Sequence, residues 1–194
     1  NGGAVSLTND GTTAGTFVDY VSADADAVSL TVVATSTSGA VTYDSLSTGA
    51  LTLTSVNTAA NDLTVTADNN IVATDVDSTT GGITLNTSGG TISLADVDTT
   101  SGAIDVDATG NITVTADGGV TASGASAIDI DSSGGYIRNS AASNGVADIV
   151  TSGTLTLAAD GGIADSTGSA GLDIDSNGGA VSLTNDGTTA GTFV

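Results

Sequence analysis

The chain has 194 residues and a formal net charge of −21, because its acidic residues are 22 aspartates and its only basic residue is Arg138. It contains no Pro, Cys, Met, Trp, His, Lys, Glu or Gln. The chain therefore has no His, Cys, Glu or Lys to act as a catalytic base, nucleophile or metal ligand, and we expect no enzyme activity. So acidic a chain should repel nucleic acid and anionic membrane surfaces.

The sequence of positions 1–18 is identical to that of positions 177–194, so this segment occurs twice in the chain. Repetition at a fixed period is typical of proteins that stack one structural unit on the next. We expect 1–194 to form one continuous segment, with 1–176 as one full repeat and 177–194 as the start of the next. The expected partners are further copies of the repeat, stacked end to end.

Within this period, short runs alternate aliphatic and polar residues and end in Gly, Asn or Ser, which predicts strands with one buried face. One family of strands is anchored at a near-constant spacing. Its predicted anchors are Val18, Val41, Leu63, Ile83, Ile104, Ile128, Ile149, Leu172 and Val194. A second family follows the first at a shorter interval. Its predicted anchors are Val28, Leu51, Ile71, Ile92, Ile112, Ile137, Leu155 and Val181.

A third strand is indicated where Asp117-Gly118-Gly119 precedes Val120 and where Asp160-Gly161-Gly162 precedes Ile163. Two or three short strands per coil predict an all-β protein, a parallel β-helix (β-solenoid) with eight coils in the repeat 1–176. We take the helix as right-handed by default. At about 4.8 Å per coil the repeat would be roughly 38 Å long. A β-sandwich is the alternative, but it does not explain the near-constant coil length.

Aspartates recur at the outward positions of the first strand family. The first outward position is occupied by Asp19, Thr42, Thr64, Thr84, Asp105, Asp129, Val150 and Asp173. The second is occupied by Val21, Asp44, Thr66, Asn86, Asp107, Asp131, Ser152 and Asp175. Stacked carboxylates repel one another, and Ca²⁺ prefers carboxylate oxygens. The candidate Ca²⁺ ligands are therefore Asp105, Asp107, Asp129 and Asp131, and the alternative is an acidic face with diffuse divalent counterions.

We expect the protein to require no cofactor, and Ca²⁺ is the one specifically bound ion that we predict. Other functional sites are indicated less well. Thr-x-Thr pairs, as in ice-binding solenoids, occur at 52/54, 64/66, 113/115 and 154/156, but they fall in different strand families. Asp-x-Asp pairs occur six times, which favours a surface pattern over a pair of glycosidase carboxylates. Arg138 is expected to be a local partner for aspartates or a charge at a strand edge.

Three segments carry a resemblance to a known family: Gly110–Asp117 (GNITVTAD), Gly153–Leu157 (GTLTL) and Gly178–Leu183 (GGAVSL). They resemble the repeats of filamentous-haemagglutinin-like adhesins and related large repetitive bacterial exoproteins. The resemblance implies a right-handed parallel β-helix that is extracellular or at the cell surface, with a role in adhesion or as a filament or stalk. Nothing in this segment predicts membrane insertion, because no apolar run is long enough to cross a bilayer.

Overall fold

The fold is given by a computed structural model, which describes residues 4–9, 18–22, 28–34, 40–46, 48–140, 146–163 and 171–185. All regular secondary structure in these ranges is β, and the strand pairings are parallel. The strands in chain order are β1 (Ala4–Asn9), β2 (Val18–Ser22), β3 (Val28–Ala34), β4 (Val41–Ser45), β5 (Leu51–Asn57), β6 (Leu63–Ala67), β7 (Ile71–Ala73), β8 (Val76–Ser78), β9 (Ile83–Thr87), β10 (Ile92–Leu94), β11 (Val97–Thr99), β12 (Ile104–Ala108), β13 (Ile112–Val114), β14 (Val120–Ala122), β15 (Ile128–Ser132), β16 (Tyr136–Asn139), β17 (Ile149–Thr151), β18 (Leu155–Ala159), β19 (Gly162–Ile163), β20 (Ile174–Asp175) and β21 (Val181–Asn185).

The strands form a parallel β-solenoid with three sides. The first side is an eight-stranded sheet in the order β2-β4-β6-β9-β12-β15-β18-β21. A thirteen-stranded sheet supplies the other two sides: the second carries β7, β10, β13, β16 and β19, and the third carries β8, β11, β14, β17 and β20. The long strand β5 pairs with both β7 and β8, so it joins the second and third sides.

Six complete turns run from β4 to β20, which confirms the predicted β-solenoid but not its count of eight coils. The turns are not of equal length. On the first side, the strands from β4 onward start at Val41, Leu63, Ile83, Ile104, Ile128, Leu155 and Val181. The last two of these steps are the longest, because of the connections from Asn139 to Ile149 and from Ile163 to Ile174. The predicted right-handedness stays a prediction.

The predicted strand families are correct as far as Ile128 and Ile137, and wrong after them. Ile149 begins a strand of the third side, whereas Leu155 and Val181 continue the first side. Leu172 is buried just before β20 of the third side, and Val194 lies outside the described residues. Alternation identifies which residues point inward, but it does not identify the side of the solenoid to which a strand belongs.

The core is a stack of aliphatic side chains in register from turn to turn. On the first side, Leu63, Ile83, Ile104, Ile128 and Leu155 follow one another, and each is at most 1% exposed. The second side repeats the pattern with Ile71, Ile92, Ile112 and Ile137. One turn alone could not bury these side chains, so each turn is stabilised by its neighbours.

Buried hydroxyl groups occupy the corners, where they satisfy backbone groups that the strands leave unpaired. The Oγ of Ser132 donates to the carbonyl of Gly110 at 2.8 Å and accepts from the N–H of Gly135 at 3.1 Å. Thr151 does the same at another corner, where its Oγ1 lies 2.8 Å from the Ser126 carbonyl oxygen. These hydrogen bonds offset the cost of placing polar side chains inside the solenoid.

One corner requires glycine because successive turns approach too closely for a side chain. A Cβ on Gly102 would lie 1.8 Å from the carbonyl oxygen of Gly81 in the preceding turn. The neighbouring position is open by comparison, since a Cβ on Gly82 would meet nothing closer than 3.4 Å. The corner between the third and first sides therefore depends on backbone contacting backbone.

Candidate functional site

The four predicted Ca²⁺ ligands lie together on the first side. Strands β12 and β15 pair so that Asp105 is in register with Asp129, and Asp107 with Asp131. The intervening residues of both strands are buried aliphatic side chains, which directs the four carboxylates outward. We call these four residues the Asp ladder.

The Asp ladder is confined to two strands. Thr84 and Asn86 are in register with it on one flank, and Thr156 and Ala158 on the other. The predicted continuation through Val150, Ser152, Asp173 and Asp175 is wrong. Val150 and Asp175 pair with each other on the third side, because the chain reaches the first side again only at Leu155. Asp44 lies on the first side between Val21 and Thr66, and Asp19 is in register with Thr42.

A groove of about 420 Å³ runs along one end of these strands. Its lining combines carboxylate, amide and hydroxyl oxygens: Asn86, Thr87, Ser88, Asp107, Ala108, Thr109, Asp131 and Ser133. Asn86, Asp107 and Asp131 occupy one register position in three consecutive turns. Hard cations are bound by oxygen atoms of these types, so the lining of the groove is chemically compatible with the predicted ion.

Partial burial and mutual repulsion raise the pKa values of the two ladder residues on β12. Desolvation raises the pKa of Asp105 first, and the charge of Asp129 raises it further. The pKa of Asp107 is raised by desolvation, then by the charges of Asp105, Asp131 and Asp129. The ladder therefore opposes its own full ionisation and would be stabilised by a bound cation.

A second acidic group, which the sequence analysis did not single out, lies on the third side. Asp77 of β8 is in register with Asp98 of β11, and Asp75 and Asp96 immediately precede these strands. Desolvation is the first cause that raises the pKa values of Asp77 and Asp98, followed by repulsion from Asp75 and Asp96 respectively. The sequence Asp-Val-Asp occurs at 75–77 and again at 96–98, and this repetition is the signal for the group in the sequence. To predict that the two copies lie in register would also have required a third strand family that continues through both turns.

Asp148 is a carboxylate inside the solenoid, and no pattern in the sequence distinguishes it from the other aspartates. It is 0% exposed. Its two carboxylate oxygens accept hydrogen bonds from Nδ2 of Asn139 at 2.9 and 2.8 Å, and the backbone N–H of Asp173 donates to one of them at 2.8 Å. Burial raises the pKa of Asp148, and the hydrogen bonds from Asp173 and Asn139 oppose the rise. Asp148 thus ties the long connection after β16 to the following turn.

The remaining predicted features are distributed over different sides. Thr64 and Thr66 lie on the first side, where Asp44 and Asn86 flank Thr66 in register. Thr113 lies on the second side, beside Ser93 and Arg138. The Nε of Arg138 donates to the Oγ1 of Thr113 at 3.3 Å. Stacked Thr-x-Thr pairs in consecutive turns, as an ice-binding surface needs, do not occur at these positions.

Within the described ranges, no three acidic side chains converge closely enough to form a metal-binding group. Ca²⁺ binding by the Asp ladder therefore stays a prediction, and it would require the side chains to adjust around the ion. The same ranges contain no helix that could span a membrane.

Comparison with protein-family models, with curated proteins and with solved structures finds no match for this chain. Membership of the filamentous-haemagglutinin-like family is therefore supported only by the resemblance of the short repeated segments in the sequence. The fold and the stacked turns are those of a parallel β-solenoid, which is compatible with a β-helix repeat protein.

Proposed function

We propose that this chain is the structural repeat of an extracellular or cell-surface filament or stalk, similar to the adhesin-like β-solenoid fibres. Its function would be mechanical and non-catalytic. The observation that carries the proposal is the identity of positions 1–18 with 177–194 in a chain whose turns stack along one axis. A solenoid with an exact sequence period can extend by adding repeats, because each new turn covers the strand edge left by the one before.

The mechanical role is supported by how the turns are joined. Backbone hydrogen bonds connect every described turn to the next along the axis, and the aliphatic stack excludes water between them. Such a rod resists extension through many bonds acting in parallel. The absence of Lys and the single Arg138 leave trypsin-like proteases one site in the chain, which suits a protein exposed outside the cell.

The charge supports a filament that stays separate from its neighbours. One repeat carries a net charge of −20, since one of the 22 aspartates, Asp186, falls in the second copy. At the spacing of first-side strands, one repeat corresponds to between seven and eight turns, or about 36 Å. The charge per unit length is then about one per 2 Å, close to that of duplex DNA at about one per 1.7 Å. Rods of this charge repel one another at low salt.

A second candidate function is adhesion that depends on Ca²⁺, and the oxygen-lined groove beside the Asp ladder favours it. The ion would bind between β12 and β15, or bridge the ladders of neighbouring rods. Ice binding is less well supported, because Thr64/Thr66 and Thr113 lie on different sides of the solenoid.

The filament proposal is tested with chains that contain one, two and four copies of the repeat 1–176. Small-angle scattering should give a constant cross-section and a length that increases by about 36 Å per copy. A chain that scatters as separate globular units joined by linkers would contradict the proposal.

The Ca²⁺ candidate needs a separate experiment. The melting temperature of the native chain should be higher in millimolar Ca²⁺ than in EDTA, and the double variant Asp107→Asn/Asp131→Asn should lose that difference. Asp44→Asn is the matched control, because Asp44 lies on the same side between the uncharged Val21 and Thr66. Equal melting temperatures with and without Ca²⁺ would leave a diffuse counterion cloud as the explanation of the acidic face.

A further inference from the structure

The same short sequence, AVSLTN, forms strands on different sides of the solenoid. As β1 (Ala4–Asn9) it belongs to the thirteen-stranded sheet and pairs with β3. As β21 (Val181–Asn185), with Ala180 before it, it belongs to the eight-stranded sheet and pairs with β18. Identical sequence therefore forms strand pairs with two different sheets.

These two pairings use opposite edges of the strand. The strand β21 pairs with the turn that precedes it in the chain, whereas β1 pairs with the turn that follows it. The inward register is the same in both cases: Val181 matches Leu155, and its equivalent Val5 matches Leu30. Val5 and Leu183 both pack against the core. One strand can therefore make both pairings at once without exchanging its inner and outer faces.

We propose that, in consecutive repeats, a single AVSLTN strand joins the eight-stranded sheet of one repeat to the thirteen-stranded sheet of the next. The edge of β21 that faces away from β18 would receive the Val28–Ala34 strand of the following copy, with Val181 in register with that copy's Leu30. This inference rests on the proposed function, in that it assumes that repeats follow one another along one axis.

The spacing along the sequence supports the same junction independently. Val5 and Leu30 are separated in the chain by the length of one turn of this solenoid. Their separation falls between the step from Ile104 to Ile128 and the step from Ile128 to Leu155, which join register neighbours on the first side. The chain can therefore complete one turn between Val181 and the Leu30 of the next copy.

The other possible neighbour of Val181 is the Val18 of the next copy, where its eight-stranded sheet starts. Val5 and Val18 are closer in the chain than any two register neighbours described on the first side, which leaves too little chain for a turn. The Val18 of the next copy lies as many residues after Ile174 as Val76 lies after Val56, and Val56 and Val76 are register neighbours on the third side. This interval places it above the third side.

The consequence is that one repeat does not contain a whole number of turns. The eight-stranded sheet of each repeat would continue the third side of the repeat before it, so that successive repeats are rotated by about a third of a turn. The Asp ladders of neighbouring repeats would then face different directions. Acidic surface would wind around the filament, and the like charges of successive repeats would be kept apart.

Cysteine pairs in a two-copy chain test the junction, since the native sequence contains no cysteine. The chain consists of positions 1–176 followed by positions 1–194. The first variant combines Thr156→Cys of the first copy with Ser6→Cys of the second, and the next combines Ser6→Cys and Thr31→Cys of the second copy. Register neighbours on parallel strands have Cα atoms about 4.8 Å apart, which a disulfide can bridge.

The proposal predicts that both pairs lose their free thiols on mild oxidation. The control pair, Ser6→Cys with Asp19→Cys in the second copy, should retain them, because it would be adjacent only if both strands lay on the eight-stranded sheet. A disulfide in only one of the two predicted pairs, or in the control pair, would overturn the inference. If neither pair forms but the rod still lengthens with each copy, the inference fails while the filament proposal stands. A chain that does not lengthen as a rod refutes both.

Discussion

Asp107 and Asp131 are in register on neighbouring parallel strands of the first side, with Asn86 and Ala158 as the next residues on either flank. The Cα atoms of these two aspartates are thus one strand spacing apart, about 4.8 Å, on a backbone that the aliphatic core fixes in place. The strand register keeps both side chains on the same outward face of neighbouring strands. The repulsion is therefore a built-in property of the surface, and its removal should be measurable.

Replacement of one carboxylate in the Asp ladder should stabilise the protein. Asp107→Asn removes repulsion with Asp131, Asp105 and Asp129, and should raise the free energy of unfolding by up to about 1 kcal/mol at low salt. Asp44→Asn is the control and should change it little, because the register neighbours of Asp44 are Val21 and Thr66. Urea denaturation at low and high salt measures both. If Asp107→Asn is no more stabilising than Asp44→Asn, the ladder does not carry the repulsion inferred from its register.

Stability should increase as the pH is lowered from 7 towards 4. Aspartates whose pKa values are raised above the ordinary 3.8 bind protons in the folded chain that the unfolded chain has already lost: Asp77, Asp98, Asp105, Asp107 and Asp148. The stability due to their protonation is fully present below pH 3.8 and is lost as the pH rises through the raised pKa values.

The urea midpoint at several pH values measures this dependence. The double variant Asp105→Asn/Asp107→Asn should have a shallower slope than the native chain. A midpoint that falls on acidification over this range would contradict the assignment of raised pKa values to these groups.

A side chain at the tightest corner should destabilise the fold strongly. Gly102→Ala places a methyl group 1.8 Å from the Gly81 carbonyl oxygen, which forces the two turns apart. A loss of about 2 kcal/mol or more is expected, and failure to fold is the extreme case. Gly82→Ala is the control, with its nearest contact at 3.4 Å. Circular dichroism and urea denaturation would compare the two variants, and equal stabilities would show that the corner can relax.

The buried carboxylate of Asp148 should depend on the amide of Asn139. Asn139→Ala removes the Nδ2 donor at 2.8 to 2.9 Å, and should cost about 1.5 to 3 kcal/mol at pH 7, as for hydrogen bonds to charged groups. The cost should shrink at low pH, where Asp148 is protonated and its desolvation is less unfavourable. Asn86→Ala on the outer face is the control. A cost that does not change with pH would show that Asn139 acts by packing alone.

The sequence predicts the buried face of each strand well, and the sides of the solenoid only in part. Alternating aliphatic residues identify Ile104, Val106, Ile128 and Ile130 as inward, and these are at most 1% exposed. The Asp ladder follows directly, because Asp105 and Asp129 occupy the alternate positions. The error begins after Ile128, where the turn lengthens and an assumed constant spacing selects Ile149 in place of Leu155.

Other features could not be predicted from single residues. Asp148 resembles every other aspartate in the sequence, and its burial depends on the path of the chain between Asn139 and Ile149. The acidic group at Asp75, Asp77, Asp96 and Asp98 can be predicted only if the corner between β7 and β8 is known. The preceding turn gives no sign of this corner, because its strand β5 runs without interruption. Local pattern determines inside and outside, whereas the position of corners depends on contacts between turns.

Cryo-electron microscopy of a four-copy chain, at a resolution that separates strands, would show whether the repeats form one continuous solenoid. We expect one uninterrupted stack of strands with a spacing of about 4.8 Å that passes through every junction between copies. Four separate particles, with a gap in the stack of about 4.8 Å spacing at each junction, would contradict it.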